Sequence, residues 1–249
     1  MVKITLIGSG NLGTQLGLSL VKNGYEIIQV YSKSKENATL LAEKLNSKAT
    51  DDLNQLIDTD LAIISVNDDS ISNVSKLVNF PQVHTSGTIS MNDLNQNYPV
   101  GVFYPLQTFS KNTDVLFDQI PICIEASTTN LLEKIEGIAK ELSNKVYFMN
   151  ESKRAKLHLS AVVACNFSNL MYQLADEICD ENEIPFEILH SLIEETSHKI
   201  KKTSPTKAQT GPAKRSDIKT IENHLDQLKN NAELFEIYNL LTKSIINRK

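Results

Sequence analysis

The 249-residue sequence contains only three cysteines, and they do not have the spacing of a metal site. Cys123, Cys165 and Cys179 lie in apolar or helical stretches, and we interpret them as reduced packing residues of a cytoplasmic protein. A chain of this length buries roughly 70–75% of the surface that its unfolded form exposes, so it needs neither a disulfide nor a structural metal to stay folded. The sequence therefore predicts a protein without a metal site.

The sequence also lacks an excess of positive charge and a long hydrophobic run. Its formal net charge of -5 argues against general affinity for nucleic acid. The longest nearly unbroken apolar stretch, residues 159–165, is far shorter than the roughly 20 residues that a membrane-spanning helix needs. Residues 1–3 run directly into a strand pattern, so we expect no signal peptide. We therefore expect a cytoplasmic protein that binds neither membranes nor nucleic acid.

The first 150 residues alternate between strand and helix patterns. Residues 4–7, 61–66 and 121–125 are nearly continuous apolar runs, as expected for strands that are covered on both faces. An amphipathic helix pattern over residues 12–23 separates the first two strands. This alternation predicts an α/β fold, with a Rossmann-type domain over residues 1–150 and a mostly parallel sheet. The predicted strands are residues 3–7, 26–31, 61–66, 82–85, 100–104, 121–125 and 145–149.

The strand patterns stop after Asn150, and residues 151–249 are predicted to form a small all-helical domain. The middle of its first helix, residues 161–165, is apolar almost all the way round. Such a segment needs contacts on more than one side, from neighbouring helices or from a second subunit. We therefore interpret this half as a substrate and dimerisation domain and expect a homodimer. The predicted helices cover residues 151–182, 186–202, 218–228 and 234–246, and residues 203–214 form an ordered loop.

A glycine-rich G-x-G-x-x-G motif lies between the first strand and the first helix. It consists of Gly8, Ser9, Gly10, Asn11, Leu12 and Gly13. The first glycine permits a tight turn, the second lets the backbone approach a pyrophosphate, and the third allows close packing of helix on strand. The helix N-terminus then faces the phosphates. The alternative is a tight glycine turn in an α/β protein that binds no dinucleotide.

The end of the second predicted strand indicates which dinucleotide binds. An NAD site usually has Asp or Glu about twenty residues after the glycine motif, where the carboxylate accepts hydrogen bonds from the ribose. Here the strand is followed by Ser32, Lys33 and Lys35, while Glu36 falls beyond the turn. A hydroxyl and ammonium groups suit the 2′-phosphate of NADP(H), so NADP(H) is the predicted cofactor. The alternative is a solvated lysine-rich turn without a ligand.

Polar residues follow three further strands, at the carboxyl edge where sheets of this type bind ligands. Asn67 follows one of them and is a candidate cofactor contact, although the adjacent acidic residues also suit a helix N-cap. His84 and Ser86 follow the next strand, where they could contact nicotinamide or substrate or simply satisfy a turn. Tyr104 ends a third strand and could line the same crevice.

The helical half also carries polar residues without an evident structural role. His158 lies on a helix that is otherwise apolar at its centre, so it either serves a site or is a hydrogen-bonded core histidine. Thr210 and Arg215 belong to a constrained loop that could offer donors to a substrate. Asp217 begins a polar stripe on the next helix, which either contacts substrate or faces water.

These features together resemble the 6-phosphogluconate dehydrogenase-like superfamily, whose members include pyrroline-5-carboxylate reductase, ketopantoate reductase and the coenzyme-F420-dependent NADP oxidoreductases. Residues 84–87 (HTSG), 105–109 (PLQTF) and 210–228 (TGPAKRSDIKTIENHLDQL) more closely resemble Rossmann-like proteins that carry domain of unknown function 2520. The resemblance implies an NADP-linked oxidoreductase with a helical dimerisation domain. Two positions depart from the pattern, because the family leads us to expect His at Tyr104 and Gly at Ser216. The chain also lacks the Lys-x-x-x-Asn pair of the β-hydroxyacid dehydrogenases, since Ser160 follows Lys156.

Our leading hypothesis is an NADP(H)-dependent reductase of a small carbonyl or imine compound, with a proton donor in the cleft. His84 and His158 are the candidate donors, and Ser86 would position the substrate. Thr210, Arg215 and Asp217 are the candidate substrate contacts, and no metal is expected. The alternative hypothesis is a non-catalytic NADP(H)-binding sensor or dimeric regulator, because no complete set of catalytic residues can be identified in the sequence.

Overall fold

The computed structural model describes residues 2–111 and 115–248, and within them the chain forms one eight-stranded sheet. The strands appear in the order β3-β2-β1-β4-β5-β6-β7-β8, and every neighbouring pair is parallel except β6 and β7. The predicted α/β architecture with a mostly parallel sheet is confirmed. The strands are β1 Lys3–Ile7, β2 Glu26–Tyr31, β3 Lys48–Thr50, β4 Leu61–Ile64, β5 Gln82–His84, β6 Val100–Pro105, β7 Ile122–Ala126 and β8 Val146–Phe148.

The strand order reverses between β1 and β4, and this reversal positions the candidate site. Strands β2 and β3 lie on one side of β1, whereas β4, β5 and β6 follow on the other side. Because all six strands are parallel, their carboxyl ends meet at one edge of the sheet. The crevice at such a reversal is where open α/β sheets bind ligands.

Helices cover both faces of the sheet, as the apolar strands predict. Leu6 and Ile63 belong to one buried cluster, and Ile7 and Ile64 belong to another. Adjacent strand residues point to opposite faces, so the two clusters lie on the two sides of the sheet. The helices of this half are α1 Asn11–Lys22, α2 Lys35–Leu45, α3 Asp68–Ser75, α4 Thr129–Leu142 and α5 Glu151–Ala161.

The remaining chain is helical, and the structure divides into two compact units, residues 1–162 and 163–249. Helix α5 therefore belongs to the sheet unit. A turn of π-helix, Val162–Asn166, follows α5, so the predicted single helix over residues 151–182 is interrupted in its apolar middle. The predicted loop over residues 203–214 contains two short helices. The helices of this half are α6 Phe167–Glu181, α7 His190–Lys202, α8 Pro205–Ala208, α9 Pro212–Arg215, α10 Ile218–Gln227 and α11 Ala232–Ile246.

Candidate functional site

The loop between β1 and α1 has the geometry that its glycines predict. Gly8 has a φ of 117°, and a Cβ atom there would lie 2.2 Å from the backbone oxygen of Ser65. A Cβ atom on Gly13 would lie 2.4 Å from the backbone oxygen of Gly8. Side chains at both positions would collide with backbone atoms, so the tight turn and the close approach of α1 to the sheet both require glycine.

Gly10 differs from the other two glycines because a Cβ atom there would meet nothing within 4 Å. The space beside its backbone is open, and Gly10 is also the N-cap residue of α1. No side chain caps this helix, and its first turn has no acidic residue. The amide groups of the first turn and the helix dipole therefore face an open space that a side chain at position 10 would partly fill. This cradle fits a pyrophosphate.

A cleft of about 390 Å³ opens next to this cradle, at the carboxyl ends of β1, β2 and β4. Among the described residues that line it, two are lysines and none is an aspartate or glutamate. The lining therefore suits an anionic ligand such as a dinucleotide phosphate. The lining residues are Gly8, Ser9, Gly10, Tyr31, Ser32, Lys33, Asn37, Ser65, Val66, Asn67, Ser70, Val74 and Lys111.

The turn after β2 places Ser32 and Lys33 in this cleft, as the cofactor hypothesis expects. The Ser9 hydroxyl donates a hydrogen bond to Ser32 Oγ at 2.9 Å, which joins the glycine loop to the turn. Lys35 has a different role, because its ammonium pairs with Asp51 at 3.3 Å and does not line the cleft. Of the two lysines considered from the sequence, only Lys33 lines the cleft.

Three other predicted cofactor contacts occupy distinct positions. The Asn11 side chain donates to the backbone oxygen of Phe109 at 3.0 Å, so only its backbone amide is available to a phosphate. Leu12 packs against the main apolar cluster and can likewise offer only its backbone. Asn67 is the N-cap residue of α3, yet its side chain makes no capping hydrogen bond and it lines the cleft. Asn67 is therefore available to a ligand.

His84 and Ser86 hold a turn at the end of β5. His84 is fully buried, and its Nδ1 accepts a hydrogen bond from the Ser86 amide at 3.1 Å. Burial, assisted by the nearby Arg154, lowers the pKa of His84 to about 4. Ser86 Oγ accepts hydrogen bonds from the amides of Thr88 and Ile89, each at 3.1 Å. His84 is thus neutral and enclosed at ordinary pH, and its Nδ1 and the Ser86 hydroxyl are both committed to the turn.

Tyr104 and His158 form a second polar pair beside this turn. The Tyr104 hydroxyl lies 3.1 Å from His158 Nδ1. Burial, with a smaller contribution from Cys123, raises the pKa of Tyr104 to about 12, so the phenol stays protonated. His158 is half-buried on α5, whereas His84 is enclosed. Gly87 packs against the pair so closely that a Cβ atom there would lie 2.7 Å from His158 Nδ1.

Arg154 lies on the same helix as His158, one turn earlier, and is fully buried. Its guanidinium pairs with Glu125 of β7 at 2.7 Å and donates to the backbone oxygen of Ile89 at 2.5 Å. Residues four apart share one face of a helix, so these contacts fix the rotation of α5 that directs His158 to Tyr104.

The comparisons with known proteins agree with this architecture. Residues 120–245 match the family described as domain of unknown function 2520, and residues 3–92 match the family described as coenzyme-F420-dependent NADP oxidoreductase. A structure of a proposed NADP oxidoreductase from Bacteroides fragilis is 40% identical, covers 99% of this chain and 98% of its own, and has a TM-score of 0.92. The chain belongs to the DUF2520 family.

Solved structures of lower identity share the fold of this DUF2520 protein. The 1-pyrroline-5-carboxylate reductase of Streptococcus pyogenes is 18% identical, with 99% and 97% of the two chains covered and a TM-score of 0.66. An imine reductase from Myxococcus stipitatus, solved in complex with NADP+, is 17% identical, with 98% and 92% covered and a TM-score of 0.60. No match was found among curated proteins. These two likenesses establish the fold alone.

The candidate substrate contacts of the DUF2520 region lie in the second unit, and the structure gives one of them a structural role. Asp217 caps α10 and accepts hydrogen bonds from the Thr220 amide at 3.2 Å and the Thr220 hydroxyl at 2.8 Å. These two bonds lower the pKa of the Asp217 carboxyl. Thr210 and Arg215 are exposed. Ser216, where the family predicts Gly, has a φ of 58°, a backbone conformation that glycine adopts more readily.

Two residues of the site were not identified from the sequence. Lys111 follows β6 and lines the cofactor cleft, although it lies about 80 positions beyond the turn that contains Lys33. From the sequence alone, Arg154 would be expected to be a charged residue on the exposed surface of a helix. Lys111 is an isolated lysine in its segment, so the sequence contains no local signal for the first, and it contains none for the burial of the second.

No helix in the described part of the chain is long and apolar enough to cross a membrane. The described residues also contain no group of three or more His, Cys, Asp or Glu side chains that could hold a metal ion.

Proposed function

We propose that this protein is an NADP(H)-dependent oxidoreductase that reduces, or in reverse oxidises, a small carbonyl or imine compound. The observation that carries the proposal is the cleft that joins the open Gly10 cradle to Ser32 and Lys33, because its described lining contains lysines and no carboxylate. A dinucleotide with a 2′-phosphate matches this lining better than one with a free ribose hydroxyl, because none of the described lining residues is an acidic side chain that could accept from the ribose. The Bacteroides relative and the match to the NADP oxidoreductase family support the same assignment.

The nicotinamide cofactor would supply the hydride, and the protein must then bind both partners and move one proton. The backbone amides at Gly10 and the start of α1 would hold the pyrophosphate. Ser32 and Lys33 would hold the 2′-phosphate, and Asn67 would offer its amide to the cofactor between them.

The proton is best assigned to the Tyr104–His158 pair. In the tautomer in which the Tyr104 hydroxyl donates to His158 Nδ1, the imidazole proton resides on Nε2. That N–H group can donate its proton to the substrate while the Tyr104 hydroxyl passes its own proton to Nδ1. The imidazole then stays neutral, and the negative charge resides on the phenolate oxygen until a solvent proton restores it. His84 is a weaker candidate because it is fully enclosed whereas His158 is half-buried, and we assign it and Ser86 to positioning the turn that contains Gly87.

We also propose that the helical half supports a homodimer. Val163, Phe167 and Leu170 are spaced three or four residues apart and are 54%, 54% and 39% exposed. A row of large apolar side chains left in water is typical of a surface that a second subunit covers.

In this proposal Thr210, Arg215 and Asp217 contact the small-molecule substrate, with Asp217 using the carboxylate that also caps α10.

The test is NADPH oxidation with a panel of keto acids, cyclic imines and flavins, followed at 340 nm. We expect turnover with at least one carbonyl or imine, and we expect Tyr104→Phe and His158→Gln to lower kcat while the Kd for NADPH stays unchanged. Tight NADPH binding without turnover across the panel would favour the alternative, a non-catalytic NADP(H) sensor. That alternative is supported by the enclosure of His84, which removes one of the two expected donors.

A further inference from the structure

The loop that follows β6, residues 106–111, is tied to the first turns of α1. Asn11 Nδ2 donates to the backbone oxygen of Phe109 at 3.0 Å. Gln15 Nε2 donates to the backbone oxygens of Ser110 at 2.8 Å and Lys111 at 3.3 Å. Gln15 is buried, so its amide needs these acceptors. We call residues 106–111 the strap, because two side chains of the phosphate-binding helix hold its end in place.

An aromatic contact fixes the strap on the sheet side as well. The ring of Phe109 stacks on the ring of Phe117, with centroids 5.8 Å apart and planes 28° apart. Phe117 is buried, and Phe109 packs against the main apolar cluster. Such an aromatic pair stabilises the folded state by about 0.5–1.5 kcal/mol, in addition to the contribution from the apolar area that it buries. The strap is therefore anchored by packing and by three side-chain hydrogen bonds, and Lys111 is held at its end.

Lys111 lines two neighbouring cavities. The first is the 390 Å³ cleft that also contains Lys33. The second is a cavity of about 120 Å³ that shares Ser9, Asn37 and Lys111 with the first and adds Lys44 of α2. Within the described residues, no carboxylate lines either cavity. Three lysines from three separate elements therefore surround the region next to the β2–α2 turn, and a dianionic phosphate is the group that such a set suits.

We propose that the strap places Lys111 as a second cationic contact for the 2′-phosphate of NADP(H), in addition to Lys33. The inference rests on the proposed NADP(H) function, since it names a residue that would set that specificity. Lys33 is an exposed lysine on a turn, and one exposed ion pair contributes little by itself. A second lysine, whose backbone Gln15 holds beside the same cleft, adds a charge from a separate element of the chain. Preference for NADP(H) over NAD(H) then depends on the strap as well as on the turn after β2.

The direct test is the Lys111→Ala variant, with Kd values for NADPH and NADH measured by calorimetry. We expect the NADPH Kd to rise about five- to tenfold, between the effects typical of exposed ion pairs and of charge-assisted hydrogen bonds. The NADH Kd should change less than about twofold, because NADH has no 2′-phosphate. Lys35→Ala is the matched control, since Lys35 is a neighbouring lysine paired with Asp51 and outside both cavities. It should leave both Kd values unchanged.

A second variant tests the strap without altering the lysine. Gln15→Leu keeps the buried volume and removes the two hydrogen bonds to the strap backbone. If the strap positions Lys111, this change should also weaken NADPH more than NADH, and the Gln15→Leu/Lys111→Ala double variant should be no weaker than Lys111→Ala alone. Additive losses would overturn the role of the strap.

The outcomes separate this inference from the proposed function. Equal affinity of the wild-type protein for NADPH and NADH would overturn both. A wild-type preference for NADPH that Lys33→Ala abolishes and Lys111→Ala leaves intact would overturn the inference about Lys111 alone. A preference for NADPH over NADH that falls in both the Lys33→Ala and the Lys111→Ala variants would support the inference about Lys111. The preference should fall further as the salt concentration rises from about 0.05 to about 0.5 M.

Discussion

Gly87 provides the sharpest test of the proposed proton donor, because it touches the Tyr104–His158 pair and no positive φ constrains its backbone. Replacing it by alanine adds a single methyl group. That methyl would lie 2.7 Å from His158 Nδ1 and 2.9 Å from both His158 Cγ and Tyr104 Cζ. The variant therefore probes the contact with the two rings and does not strain the main chain.

Relief of these contacts requires the rings to move. Ordinary carbon contacts begin near about 3.5 Å, so the imidazole must retreat by about 0.8 Å or share the movement with the phenol. The Tyr104–His158 hydrogen bond of 3.1 Å does not survive a shift of that size along its own direction. Overpacking of this kind destabilises a fold by about 1–3 kcal/mol, which corresponds to a fall in Tm of about 2–4 °C per kcal/mol for a chain of this length.

The kinetic effect should exceed the loss of stability. A displacement of about 1 Å in a catalytic group lowers the rate by about 100-fold. We therefore expect Gly87→Ala to lower kcat by about that factor while the Kd for NADPH stays within about twofold, since Gly87 does not line the cofactor cleft. Gly137→Ala is the matched control, because a Cβ atom there meets nothing within 4 Å and alanine favours the helix that contains it. A Gly87→Ala enzyme with wild-type kcat would refute the assignment of the pair.

Three further outcomes follow from the structure. Lys33→Asp should raise the NADPH Kd more than about tenfold in calorimetry, because a carboxylate repels the 2′-phosphate; an unchanged Kd would contradict the cofactor assignment. His84 has a folded pKa of about 4 against about 6.5 when unfolded, so its contribution to stability is present above pH 6.5 and is lost as the pH falls towards 4. In urea unfolding, the free energy of unfolding should fall by about 2–3 kcal/mol between pH 7 and pH 4.5, and this fall should be smaller in the His84→Asn variant. Equal falls in both proteins would contradict this role of His84. Light scattering at micromolar concentration should give twice the chain mass of 27.8 kDa. The Phe167→Glu variant should shift the measured mass towards that of the monomer. A wild-type protein that is monomeric under these conditions would exclude the dimer.

Short-range patterns in the sequence were sufficient for most of the sheet and for the glycine loop. Strands β1 and β2 have the predicted bounds, because each is a run of apolar and β-branched residues between turn signals. Strand β3 was not predicted, since Lys48–Thr50 is only three residues long and contains one apolar side chain. Its pairing with β2 is a tertiary contact that no local pattern encodes.

The site was harder to predict because its chemistry depends on burial and on distant partners. His84 was placed correctly at the end of a strand, but the sequence could not show that the ring is enclosed. Arg154 and Glu125 are far apart in sequence and their pairing fixes α5, yet charged residues on helices usually face water. Lys111 reaches the cofactor cleft only because the chain folds back over α1.

The single antiparallel pair in the sheet determines where the chain between β6 and β7 must run. A parallel successor to β6 would have to cross to the opposite edge of the sheet before starting. Because β7 runs the other way, Pro105 and Ile122 are paired neighbours at the carboxyl edge, and the segment between them both leaves and re-enters the sheet on the ligand side. Exposed positions of this segment, such as Lys111, can therefore vary without disturbing any strand register, whereas Phe117 and Ile120 are held in the core. If Lys111 contacts the 2′-phosphate as proposed, the reversal places a determinant of cofactor selectivity outside the strands themselves.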